Sequence, residues 1–294
     1  MTTPCIRRAW LVLGTSSVEL EDPAAGYFCS ALTLSSPDVR AVTSSRPDMD
    51  GIDDRTQFSG GRAVAANIDA LEGAGARIDE VAASFGPYLV PSARPFLHYV
   101  LDRGTNPERV VGPLRGVSSA WPIAGDNSRN IQLQWIAADP VAYDPASKMA
   151  TAWSGASVQS GRIYPLTFPR QYGGGTGGVE VDAVFSVVGD YPVQPLVRIY
   201  GPITGPYVRF IPYAMRFLSS FHLDAGQYVT IDTKHHAAYM GEDPTASVLS
   251  SVDWTLWAWP VLTAAMGPIT MKLSGSNTNG LTQAQATWSE GYLS

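Results

Sequence analysis

The chain has 294 residues, 45% of them hydrophobic and 16% charged, which is enough apolar material for about two domains and excludes a disordered chain. Its 28 glycines and 22 prolines point to many short elements joined by turns and argue against a helical bundle. A formal charge of −6 lacks the basic excess with which non-specific nucleic-acid binders displace counterions.

Cys5 and Cys29 are the only thiols, too few for a disulfide framework or a zinc site; they could bridge two adjacent strands, and two unpaired thiols are the favoured reading. The apolar stretch from Ala9 to Leu13 is too short for a signal-peptide core, and no run approaches 18 apolar residues. A chain made in the cytoplasm that stays soluble, or is packaged by assembly, is expected. Trp10 to Leu13 and Phe28 to Leu34 read as strands. The Ser-, Asp- and Arg-rich segment from Pro37 to Gly61 reads as an extended loop, with turns at Met49-Asp50-Gly51 and Ser59-Gly60-Gly61. A strand from Arg62 to Leu71 follows.

From Ile78 the apolar period changes: Ile78, Val81, Ala82, Phe85 and Leu89 fall three and four apart, behind the acids Asp79 and Glu80. This predicts a helix, limited to roughly two turns by Gly86-Pro87. Phe96 to Leu101 resumes as a buried strand, and Ile131, Leu133 and Trp135 alternate in another. Pro140 and Pro145 end that element, and a domain boundary is expected near 146. The two parts then carry 12 Arg against 17 acids, and 8 Lys and Arg against 9 acids, with no block of like charge in either.

The remainder is strand and turn. A glycine-rich run spans Gly173 to Gly178. Alternation then recurs at Val179/Val181/Ala183/Phe185, around Leu196 to Tyr200, at Val229/Ile231, Trp257/Trp259/Val261 and Ile269/Met271/Leu273. Short strands at regular spacing between Gly, Pro and Asp turns predict a β-sandwich.

Residues that could carry chemistry all have plainer readings. The run Gly173 to Gly178 lacks the Gly-Lys-Ser/Thr ending of a phosphate loop and precedes a strand, so it reads as a connector. His235 and His236, with Asp232 and Asp224 nearby, allow a metal reading, yet strand neighbours point to opposite faces. A solvated turn is the plainer account. His98 reads as a hydrogen-bonded core or edge residue, and His222 as the residue before a turn. Asp53-Asp54 and Asp139/Asp144 are the nearest approaches to a paired-carboxylate hydrolase site, and the second pair reads as turn caps beside prolines. Trp254, Trp257, Trp259 and Trp288 could stack on sugar, fill a sandwich core, or lie at a subunit interface. The core reading is favoured by the shared face of Trp257 and Trp259. No catalytic, cofactor-binding or metal residue is assigned, and no cofactor.

Three stretches of the first part carry a resemblance: Asp50-Gly51-Ile52-Asp53-Asp54-Arg55-Thr56-Gln57-Phe58-Ser59-Gly60-Gly61-Arg62, then Val90-Pro91-Ser92-Ala93-Arg94-Pro95, then Gln134-Trp135-Ile136-Ala137-Ala138-Asp139-Pro140. So do Gly189-Asp190-Tyr191-Pro192-Val193-Gln194-Pro195-Leu196, Leu223-Asp224-Ala225-Gly226-Gln227-Tyr228-Val229-Thr230-Ile231-Asp232-Thr233, and the ending Ala286-Thr287-Trp288-Ser289-Glu290-Gly291-Tyr292-Leu293. In this order they resemble the distal tail proteins of siphophages over nearly the whole chain. The resemblance is nearest to minor tail proteins of phages with actinobacterial hosts, and 17 arginines against three lysines suit a GC-rich genome.

The resemblance implies a mainly β chain of two β-sandwich domains. Residues 1–146 are then a tail-tube-like, ring-forming sandwich with one flanking helix, and residues 147–294 a galectin-like sandwich that projects outward. It implies a structural virion protein with no enzymatic activity: a homo-hexameric ring joining the tail tube to the tail-tip or baseplate hub. Its partners are then the tube, hub and tape measure proteins, with DNA passing through the lumen unbound and no membrane contact. It implies assembly in the host cytoplasm and residence at the virion tail tip. The acidic first part suits a lumen through which DNA slides. Segment 37–61 is expected to order on contact with a neighbouring ring or subunit. The competing expectations are a carbohydrate-binding module that recognises the host surface and, more remotely, a hydrolase.

Overall fold

Alternation of shielded and open side chains sets the architecture. Along the strand Arg62–Leu71, Val64, Ala66, Ile68 and Ala70 are all buried, and along Ile269–Ser276 so are Ile269, Met271 and Leu273. A two-residue period exposes one face of each strand, and two such faces must close on each other. The structure, a computed structural model, describes residues 6–36, 39–40, 43–45, 52–54, 58–71, 78–102, 104–120, 128–156 and 179–293. The fold is mainly β, and its chain divides into two compact units, Met1–Pro145 with Gly291–Ser294, and Ala146–Glu290.

The first unit is a sandwich of two antiparallel sheets. One sheet has six strands in the order Ser16–Glu19, Ile6–Leu13, Phe96–Leu101, Glu108–Val111, Ala142–Tyr143 and Gly291–Tyr292. The other has four: Leu114–Ala120, Ser128–Ala137, Arg62–Leu71 and Tyr27–Leu34. Leu11, Leu97, Tyr99 and Val111 from the first sheet share one core with Ile68, Leu114, Ile131 and Trp135 from the second. The closing strand Gly291–Tyr292 lies far from its partner Ala142–Tyr143 in sequence, and pairs with it through Ala142–Tyr292 and Tyr143–Gly291.

The helix runs Ile78–Leu89 and passes through Gly86-Pro87, a turn beyond the expected stop. Pro87 removes one late backbone donor, at a cost of up to about 3 kcal/mol in a helix interior. Val81, Phe85 and Tyr88 are buried on the core side, and the Tyr88 carbonyl accepts the Trp135 indole N–H at 3.0 Å. Burial of large apolar side chains, at about 1.5–3 kcal/mol each, offsets the proline. Segment 37–61 also departs from the expected loop: Val39–Arg40 pairs with Phe58–Ser59, and Thr43–Ser45 with Ile52–Asp54. Its turn at Met49-Asp50-Gly51 lies outside the described residues.

The second unit is a second sandwich. Its six-stranded sheet runs Val179–Val181, Lys148–Ala156, Gln283–Trp288, Leu196–Tyr200, Tyr228–Asp232, Ala237–Met240. Facing it are Ala183–Phe185, Ile269–Ser276, Ile203–Phe210, Tyr213–Phe217 and Val252–Trp257, with His222–Leu223 on the third of these. The first sheet brings Ala150, Ala152, Ala284 and Ala286 together with Val197, Ile199, Val229 and Ile231, and the second brings Phe210, Met215, Phe217 and Met271. The alanines leave room for larger side chains in a close-packed interior. The expected single strand through Val179 and Phe185 is split at Asp182 between the two sheets. Asp182 is salt-bridged at 2.5 Å to Lys272, which holds the crossover.

Candidate functional site

The tryptophans, read together in the sequence, separate in the structure. Trp288 is core, its ring centroid 4.5 Å from that of Phe185 and tilted by 36° to it. Trp257 and Trp259 are half-buried and roof that core, whereas Trp254 stands 59% exposed. Trp259 is not on the expected strand, because Pro260 cannot donate to a ladder and the strand ends at Trp257. The rings still form a row: Trp254 to Trp257 at 6.3 Å, Trp257 to Trp259 at 5.3 Å, and Trp259 stacked on His236 at 4.9 Å. Phe217 meets Trp257 edge-on and lies stacked on Phe221.

Backbone geometry explains the exposure of Trp254. Val252–Trp257 is the last strand of its sheet, and its register against Tyr213–Phe217 jumps between Phe217–Val252 and Met215–Trp257. The extra residues form a bulge, a device that turns side chains out of the sheet. Asp253 fixes it, with Oδ1 accepting the Thr255 amide at 3.1 Å and the Thr255 hydroxyl at 2.6 Å. The Thr255 hydroxyl bond, with the nearby Arg216 charge, holds the Asp253 carboxyl below its ordinary range.

Two buried clusters anchor the ends of the units. The Glu290 carboxylate, fully enclosed, accepts the Val188 amide at 2.9 Å, the Gly189 amide at 2.8 Å, the Lys148 ammonium at 2.9 Å and the Trp288 indole at 3.2 Å. Burial alone raises its pKa, but these donors outweigh burial and hold it below the usual range. In the first unit, buried Arg62 donates to the Leu293 carbonyl, and the Arg109 guanidinium lies 3.7 Å over the Tyr292 ring. Sequence reading missed both clusters, since neither has a local spacing signal.

The other residues singled out in the sequence take structural roles. Asp139 accepts the Val141 amide at 3.1 Å and the Tyr143 hydroxyl at 3.0 Å, and Asp144 lies 4.0 Å from Arg109. Asp232 caps a turn through the Lys234 and His235 amides and pairs with the His235 ring at 2.7 Å, while His236 turns back at φ 54 onto Trp259. His98 binds Glu108 of the adjacent strand at 2.8 Å and stacks on Trp10. His222 opens a two-residue strand. Cys29 is a free thiol that burial, and then Glu21, push up to about 11, so it stays protonated at neutral pH. Cys5, the run Gly173 to Gly178 and the side chains of Asp53 and Asp54 lie outside the described residues. Among the described residues, no group of three or more His, Cys, Asp or Glu is placed to hold a metal ion.

No family profile matches the chain, and no curated protein matches it by sequence. Solved structures do. The Dit protein (gp 19.1) of phage SPP1, a paradigm of the hub adsorption apparatus in phages infecting Gram-positive bacteria, superposes with a TM-score of 0.61. The match covers 96% of this chain and 98% of that one at 11% identity. Chains of the phage P2 baseplate in its activated conformation with Ca and of the phage p2 baseplate with Sr align at TM-scores of 0.46 and 0.43, with 13% and 12% identity. They cover 96% and 95% of this chain and 97% of each of those chains. At such identity the likeness to SPP1 Dit is one of fold, a mainly β chain of β-sandwich domains. A fold does not by itself specify what a chain binds.

Proposed function

We propose that the chain is a structural virion protein, a distal tail ring that joins the tail tube to the tail-tip or baseplate hub. The observation that carries this reading is the match to SPP1 Dit across 96% of this chain and 98% of that one, because an alignment of that extent runs through both units. In this reading six copies close a ring around the DNA channel, and the tube, hub and tape measure proteins are its neighbours. DNA passes through the lumen without specific binding, which the acidic balance of the first part supports.

Sheet edges support a ring as well. The four-stranded sheet ends on Leu114–Ala120 and Tyr27–Leu34, whose outer backbone groups a neighbouring copy can pair head to tail. Val117 on the first of these edges and Ile136 beside it are exposed. Segment 37–61 is the part we expect to order on contact with a neighbouring ring or subunit. No catalytic step is assigned, and an actinobacterial host rests on the sequence resemblance, which the Arg-over-Lys bias suits. Gold-labelled antibody against the purified chain should mark a single site at the distal end of the tail. Labelling along the tube, or none on intact virions, contradicts the proposal.

A further inference from the structure

The bulge at the edge of the second unit has properties that ring assembly does not account for. Trp254 is 59% exposed with Leu256 exposed beside it, and this exposure is built in, because the Asp253–Thr255 bonds hold the backbone that presents the indole. Trp257 supports it from one side at 6.3 Å, tilted by 59°, so the Trp254 ring is braced. The neighbouring Asp253 uses only Oδ1 in these bonds, and its second oxygen remains open to accept. Arg216 on the adjacent strand is exposed and close enough to stabilise the Asp253 charge. In the same cluster, the shielded Trp257 indole N–H meets no acceptor among the described residues.

We infer that Trp254 and Asp253, with Arg216 beside them, form a binding site for a neutral pyranoside unit of a surface glycan. A pyranose offers an apolar face of axial C–H bonds and a rim of hydroxyls. The braced indole takes the face, the free carboxylate oxygen accepts a hydroxyl, and the guanidinium donates to another. The observations favour a sugar over a protein partner. A specific protein interface needs about 800 Å² per side, whereas the exposed large apolar residues of the bulge are Trp254 and Leu256, set among charged and hydroxyl groups. The irregular register also removes the continuous ladder that an added peptide strand would use. This site stands independently of the ring, since every residue in it belongs to the second unit.

The test uses the full chain labelled with 5-fluorotryptophan and followed by fluorine NMR. The Trp254 line is identified by its loss in Trp254→Phe. Cellotetraose, maltotetraose, chitotetraose and β-1,4-galactotetraose are titrated separately. The proposal predicts a saturable shift of the Trp254 line with at least one of them, while the Trp10 line stays still. Trp254→Ala and Asp253→Asn should each weaken that binding about tenfold or more. Asparagine keeps the Oδ1 acceptor for Thr255 and removes the charge, so the bulge is retained and only the ligand contact is lost. No saturable shift with any of the four sugars up to about 20 mM, a range that captures millimolar dissociation constants, overturns the proposal. So does a Trp254 response that arises only when other tail-tip proteins are added, which would make the bulge a protein contact. Neither result bears on ring formation, which is read by particle mass.

Discussion

The Glu290 carboxylate takes four donors inside a fully enclosed pocket, one of them an ammonium. Its folded pKa lies below the ordinary value of 4.5. The group therefore contributes stability that is fully present above the unfolded value and is lost as pH falls through the lower folded value. Glu290→Gln should destabilise the second unit by about 2 kcal/mol at pH 7, the cost of leaving buried donors poorly matched. Urea unfolding at pH 7 and pH 3 checks this: the gap between wild type and variant should narrow at the lower pH. Equal stability at pH 7 would show that the anchor contributes nothing. Glu290 carried no sequence signal of burial, because its donors come from residues 148 and 188–189 and from Trp288. The Asp139 turn cap, by contrast, was legible from the prolines around it, since Asp-Pro turns are closed by contacts within a few residues.

Close approach at single glycines decides how the elements fit. A Cβ on Gly116 would lie 2.2 Å from the Leu89 carbonyl oxygen, so Gly116 is what lets the helix end settle onto the strand Leu114–Ala120. Gly116→Ala should cost about 1–3 kcal/mol, the range for overpacking, and lower the melting temperature of the first unit. An unchanged melting curve would mean that the helix end yields freely. The strands Arg62–Leu71 and Ile269–Ser276 were readable because one face is buried along most of their length. The helix was readable in type but not in length, since a proline in its last turn is outweighed by burial that only the fold reveals. Short partners such as Gly291–Tyr292 leave no periodic trace, and the Asp182 crossover looks like continued alternation. A chain ending at Glu290 should lose both the edge strand and the partners of Arg62 and Arg109, so the first unit should melt earlier in calorimetry. Identical transitions would show that this closing strand is dispensable.

At the scale of the molecule, two sandwiches with separate cores are joined by a chain that leaves the first unit after Pro145 and re-enters it at Gly291. Composition and turn density already pointed to this class of fold, and the ordered motifs pointed to distal tail proteins. What the sequence did not disclose is which side chains remain open for partners, because exposure at Trp254, Val117 and Ile136 depends on bulges and sheet edges set by distant pairing. The central claim is the proposed assembly into a closed ring, and mass photometry of the purified chain, alone and mixed with the proposed tail tube partner, tests it most directly. The account predicts a discrete species of six 31.5 kDa copies, about 190 kDa, that appears as a ring with a central hole in negative stain. A chain that stays monomeric under both conditions would contradict it.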